Sequence, residues 1–83
     1  MKVVIDESVF LFLKENRVKL SQQLKTVVNH LKLNPRMCAM ITDDDSIRHF
    51  VIKGIDFGYM IDGEVIIISD CRFVKSNTKL KVR

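Results

Sequence analysis

His49 and Arg72 are the residues of this chain best suited to chemistry. An imidazole, with a reference pKa of about 6.5, exchanges protons near neutrality. A planar guanidinium presents a fork of donors that matches a phosphate. Together they suit acid–base chemistry on an anionic substrate. Each also has a plainer account: His49 as a polar residue on a half-buried strand, Arg72 as a surface arginine paired with Asp70 or Asp56. His30, on the flank of a helix, reads as structural or solvated, and Tyr59, in phase with Ile55, Phe57 and Ile61, reads as core before stacking platform. Asp43, Asp44 and Asp45 are adjacent, so their carboxylates point apart without the spacing of a calcium loop, and they read as a solvated turn. Cys38 and Cys71 stand far apart with no CxxC, as ordinary thiols of a reducing compartment; no metal or cofactor is expected.

A second chemistry lies in the charge layout. Residues 1 to 41 carry seven basic and three acidic groups, residues 42 to 70 two and seven, and residues 71 to 83 five and none, for a net charge of +4. Basic ends around an acidic middle favour a polyanionic partner. Lys14, Arg17, Lys19, Lys25 and Lys32 form a stripe suited to RNA, and Lys79, Lys81 and Arg83 extend the basic character to the C-terminal residues. The competing account makes them the wet face of the helices and a solubilising end.

Eighty-three residues of mass 9.6 kDa are expected to form one domain, and 47% apolar content excludes disorder. The longest apolar run near the N-terminus, Val9 to Leu13, is too short for a signal peptide or a membrane span and follows Asp6 and Glu7. A cytoplasmic protein without a membrane partner is expected.

The elements that must position these groups follow from periodicity. Lys2 to Ile5 reads as a strand, and Asp6 as the N-cap of a helix carrying Val9 to Leu13. Leu20, Leu24, Val27, Val28 and Leu31 then recur at helical spacing until Asn34-Pro35 ends the pattern. The Leu13 to Leu20 spacing suits either one long helix or two; the polar break at Asn16-Arg17 favours a helical hairpin. Met37 to Ile41 and Ile47 to Lys53 read as strands about the 43–46 turn. Asp62-Gly63 marks a hairpin in which Ile61 faces Glu64, Tyr59 faces Ile66 and Phe57 faces Ile68. Asp56, Gly58, Met60, Val65, Ile67 and Ser69 then occupy the other face, which is freer to hold a site. Cys71 to Val74 prolongs the last strand or turns into another, and residues 75–83 form a basic tail or an edge strand. The fold class is α+β: an N-terminal strand, a helical hairpin or one long helix, then a three- to four-stranded antiparallel sheet packed on the helices.

This order resembles that of the RelE/ParE superfamily of toxins, over about residues 1 to 74. Asp6-Glu7, the stretch Ser21-Gln22-Gln23-Leu24-Lys25, and Pro35-Arg36 look like RelE at the same mutual spacing. Gly54, Tyr59 and the strand from Val65 to Arg72 resemble the family's Gly-x-Arg-x-x-Tyr strand and its partner, and Cys71-Arg72-Phe73 resembles the Cys-Arg-Tyr end of the YoeB branch. The resemblance implies a toxin held inactive by an antitoxin protein. Its action would be ribosome-dependent cleavage of mRNA or, in the ParE branch, inhibition of DNA gyrase. The family's strand arginine falls on Asp56 and the His-Tyr end of the YoeB branch on Val74 and Lys75, leaving Arg72 at a matching position. Arg48, His49 and Lys53, on the preceding strand where the family places basic groups, would compensate, so the catalytic set expected is Arg72, His49, Arg48, Lys53 and Lys75. The leading expectation is an mRNA interferase. The alternative is a nonenzymatic binder or inhibitor on the same fold, with a second copy of the chain as a further expected partner.

Overall fold

The computed structural model describes residues 1–74; the expected tail or edge strand, with Lys75, Lys79, Lys81 and Arg83, lies outside the described residues. Strand β1 (Lys2–Ile5) leads directly into helix α1 (Glu7–Glu15), capped by the Asp6 carboxylate, which accepts from the Ser8 amide at 3.0 Å. The Ser8 hydroxyl first, and then that amide bond, holds the Asp6 carboxyl below its ordinary range.

Helix α1 ends in a reversal that settles the hairpin question. The Val18 amide donates to Leu13 and the Arg17 amide to Lys14, while Arg17 takes a left-handed φ of 55°. This is the bonding of a Schellman cap with arginine where glycine is usual. The missing glycine is why the sequence suited one helix or two. Helix α2 (Ser21–Leu33) follows and stops at Asn34, before Pro35.

The remaining strands are β2 (Ala39–Met40), β3 (Ile47–Ile52), β4 (Ile55–Asp62) and β5 (Val65–Phe73), in the order β1-β5-β4-β3-β2. The expected antiparallel sheet is β2 to β5, at its four-strand limit, and the expected N-terminal strand joins it to make a mixed sheet of five. The N-terminal strand joins it parallel to β5, with Val3 beside Ile66 and Ile5 beside Ile68. Both side chains thereby face the helices, and the pairing buries apolar surface that a detached strand would expose. Helices α1 and α2 cover this inner face. The core is Val9, Leu13, Leu20, Leu24 and Leu31 against Ile55, Phe57, Tyr59, Ile66 and Ile68.

Two turns set the registers. Lys53 and Gly54, both at positive φ, form the two-residue loop joining β3 to β4, so His49 opposes Gly58 and Val51 opposes Asp56. In the next hairpin the loop residues are Gly63 and Glu64, one position later than expected: Ile61 opposes Ile66 and Tyr59 opposes Ile68. The slip moves the pairing by two, which keeps every residue on its expected face. Beyond Tyr59 a bulge breaks that parity. Ser69 is the extra residue, Gly58 opposes Asp70, and Phe57 opposes Cys71 where Ile68 was expected. A Cβ at Gly58 would stand 2.6 Å from the Asp70 carboxylate, so a larger residue there would turn that exposed side chain aside.

Candidate active site on the open face of the sheet

The bulge decides which side of the sheet the end of β5 serves. Without it, Arg72 would share the inner phase of Ile66 and Ile68; with it, Cys71 turns inward and Asp70 and Arg72 turn to the open face. Burial, and then the charge of Asp70, pushes the inward Cys71 thiol above its ordinary pKa, so it remains a protonated packing group.

Three ionisable side chains converge on the open face. His49 Nδ1 lies 2.8 Å from Asp56 Oδ1, and Arg72 stands 3.9 Å from the other carboxylate oxygen. The Asp56 side chain is 19% exposed, His49 32% and Arg72 81%. Their strands are β4, β3 and β5: the Lys53-Gly54 turn sets Asp56 diagonal to His49, and the bulge sets Arg72 opposite Asp56. Beside them a cleft of about 370 Å³ is lined by Asp56, Arg72, Phe73 and Val74, and His49 adjoins it through its contact with Asp56. Asp56 was missed as a partner of His49. Reading Lys53-Gly54 as a two-residue hairpin loop would have placed the two together.

The other expected residues scatter. Arg48 opposes Tyr59 on the inner face, 8% exposed. Its donors go to the carbonyls of Asp45 (2.9 Å), Arg36 (3.0 Å) and Cys38 (2.6 Å) and to the Asp45 carboxylate. That places it across the sheet from His49, with no donor aimed at the cleft. Arg36 first, and then Arg48, draws the Asp45 carboxyl below its ordinary range. Tyr59 donates to the Pro35 carbonyl at 2.8 Å, and burial with the neighbouring Cys38 thiol raises its pKa, so it stays a phenol in the core. Lys53 reaches the Lys19 carbonyl at 3.4 Å, and the Val74 amide bonds the Gly54 carbonyl. The α1–α2 turn carrying Arg17 and Lys19 therefore adjoins the cleft end of the sheet. Lys14, Lys25 and Lys32 are exposed on the helical layer. The Lys32 carbonyl meets the N-terminal ammonium, at the other end of the sheet. The aspartates 43 to 45 form a local turn in which Asp44 bonds Ser46 and Asp45 bonds the two arginines. Among the described residues, no cluster of three or more metal-ligating side chains occurs, and no helix is long and apolar enough to cross a membrane.

The helical layer offers a different surface. Phe10, Leu24, Val28 and Ile5 line an apolar hollow that continues past Leu13, Val18 and Leu20, with Lys19 and Lys25 at its rim. Phe10 is about half exposed there.

No family model matches the chain, and no curated protein matches it in sequence. Among solved structures it is similar to a double arginine-to-alanine mutant of the E. coli toxin RelE, in complex with an antitoxin RelBc peptide. The match has a TM-score of 0.66 at 20% identity and covers 99% of this chain and 94% of that one. The chain has the RelE fold.

Proposed function

We propose that this protein is the toxin of a toxin–antitoxin pair and cleaves mRNA on the ribosome, in the cytoplasm. The observation that carries the reading is the convergence of His49 and Arg72 on Asp56, which lines a cleft with Arg72 on the open face of a RelE-type sheet. His49 Nε2 takes the proton of a ribose 2′-hydroxyl, and O2′ attacks the adjacent phosphorus. The bond from phosphorus to O5′ breaks, the leaving oxygen takes a proton from water, and a cyclic phosphate remains. Arg72, largely exposed and held at 3.9 Å by Asp56, pairs with the phosphate oxygens as charge gathers on them. Arg17, Lys19 and Lys53 surround the cleft end and favour the approach of the RNA backbone.

The partner is an antitoxin, as the RelE structure bound to an antitoxin peptide suggests. The apolar hollow between α1 and α2, rimmed by Lys19 and Lys25, suits a helix with one apolar face and acidic flanks. The same hollow favours a second reading, in which the chain acts by binding alone.

A defined cell-free translation reaction separates the two. With mRNA 5′ ends mapped by primer extension, the wild type is expected to give codon-phased cuts that Arg72→Ala and His49→Ala abolish. Intact mRNA in the presence of the wild type would sink the nuclease reading and leave the binder.

A further inference from the structure

We infer that Asp56 is a positioning residue that holds His49 as its Nδ1–H tautomer and presents Nε2, lone pair outward, to the substrate. The inference rests on the nuclease reading for its catalytic consequence and on geometry for the rest. The chain carries an acid where the RelE-like pattern carries a basic residue, and a carboxylate at that place opposes an incoming phosphate. In the structure, however, the carboxylate is occupied. One oxygen bonds His49 Nδ1 at 2.8 Å and the other faces the Arg72 guanidinium. A carboxylate only accepts, so the nitrogen it meets must carry a proton, and in the neutral ring the second nitrogen is then left as an unprotonated base. As the ring takes up a proton during reaction, the adjacent carboxylate stabilises the imidazolium, which is the work a carboxylate does in any acid–histidine pair.

Position and burial support a designed contact over a chance one. His49 and Asp56 come from adjacent strands joined by a two-residue turn, so their separation is fixed by backbone ladder bonds. Asp56 is the least exposed member of the cluster, which limits competition from water for its oxygens. The Arg72 guanidinium stands 3.9 Å from the oxygen that His49 does not use, close enough to favour its negative charge without a hydrogen bond.

The decisive variant is Asp56→Asn, nearly the same shape. With its oxygen drawn to Arg72, its amide group faces His49 and donates, which selects the opposite tautomer. The measurement is a nitrogen-15 spectrum of the histidine rings of the RNA-free protein, at a pH where the ring is neutral, with circular dichroism as the check on folding. Cleavage of ribosome-bound mRNA is followed in parallel. Wild-type His49 is expected as Nδ1–H, Asp56→Asn as Nε2–H with cleavage reduced at least about 100-fold, and Asp56→Glu with the wild-type tautomer and part of the rate. A His49 tautomer unchanged in Asp56→Asn and Asp56→Ala would overturn the inference. If the spectra behave as stated but the wild type cuts no RNA, the positioning role stands and the nuclease reading falls.

Discussion

Arg48 and Arg72 are the same residue type on one sheet, and their surroundings differ in almost every respect. Arg48 lies on the helix-covered face with its donors committed to three carbonyls and the Asp45 carboxylate. With the Tyr59 hydroxyl on Pro35, it fastens the segment from Pro35 to Asp45 onto β3 and β4. Arg72 lies on the open face with a single partner among the described residues, at 3.9 Å. A buried guanidinium must be saturated to be tolerated at all, whereas an exposed one with one loose partner has donors left for a ligand. The contrast extends to the faces themselves: the inner one is closed by Phe50 stacked on Phe57, with centroids 5.1 Å apart, while the open one carries His49, Asp56 and Arg72 beside a cleft. One face holds the molecule together and the other is free to act.

The widest gap between the faces should appear in stability. Phe57→Ala is expected to cost about 3–5 kcal/mol, measured by urea denaturation, and Met60→Ala on the open face no more than about 1 kcal/mol; equal losses would erase the distinction. The two arginines sharpen it. Arg48→Ala should cost about 2–3 kcal/mol by removing the bonds that hold the 36–45 segment to the sheet. Arg72→Ala should leave the unfolding midpoint within about 0.5 kcal/mol of wild type while abolishing RNA cleavage. An Arg72→Ala protein as unstable as Arg48→Ala would make Arg72 a fastening as well.

Arg17→Gly tests the hairpin that carries the inner layer. Relief of the left-handed backbone should raise stability by up to about 1 kcal/mol, seen as a higher denaturation midpoint, and a decrease would show that the arginine side chain contributes more than the strain. The smallest effect is pH-dependent. The Asp45 carboxyl is depressed by Arg36 and then Arg48, so its contribution is fully present above the unfolded value of about 4 and is lost as pH falls through the lower folded value. Amide protection in the 36–45 segment, corrected for the intrinsic pH dependence of exchange, should accordingly fall in acid before that of the β4–β5 ladder, and simultaneous loss would count against a separate fastening by Arg48.

Much of the architecture was legible in the chain, including the N-cap at Asp6, the helical spacing from Leu20 to Leu31, the end at Asn34-Pro35 and the inward set Ile55, Phe57 and Tyr59. These signals are local, with partners a few residues away. The candidate site was legible only as separate parts: His49 and Arg72 stand out for their chemistry and Asp56 as a candidate partner of Arg72, but the Lys53-Gly54 loop that brings Asp56 beside His49 carries no standard turn pair such as Asn-Gly or Asp-Gly. Arg48 was grouped with His49 although adjacent strand residues point to opposite faces.

The sequence by itself determined the element types, the inward phase of β4 and the residues able to do acid–base and anion chemistry, because helix and strand periods act over a few residues. Only the tertiary structure decided that β1 lies parallel to β5, that the hairpin closes at Gly63-Glu64, and that Ser69 bulges to turn Arg72 outward opposite Asp56. Each of these depends on which backbone groups pair between segments distant in the chain. Such pairing is set by the burial of the whole inner face, while the residues at the bulge carry no period of their own.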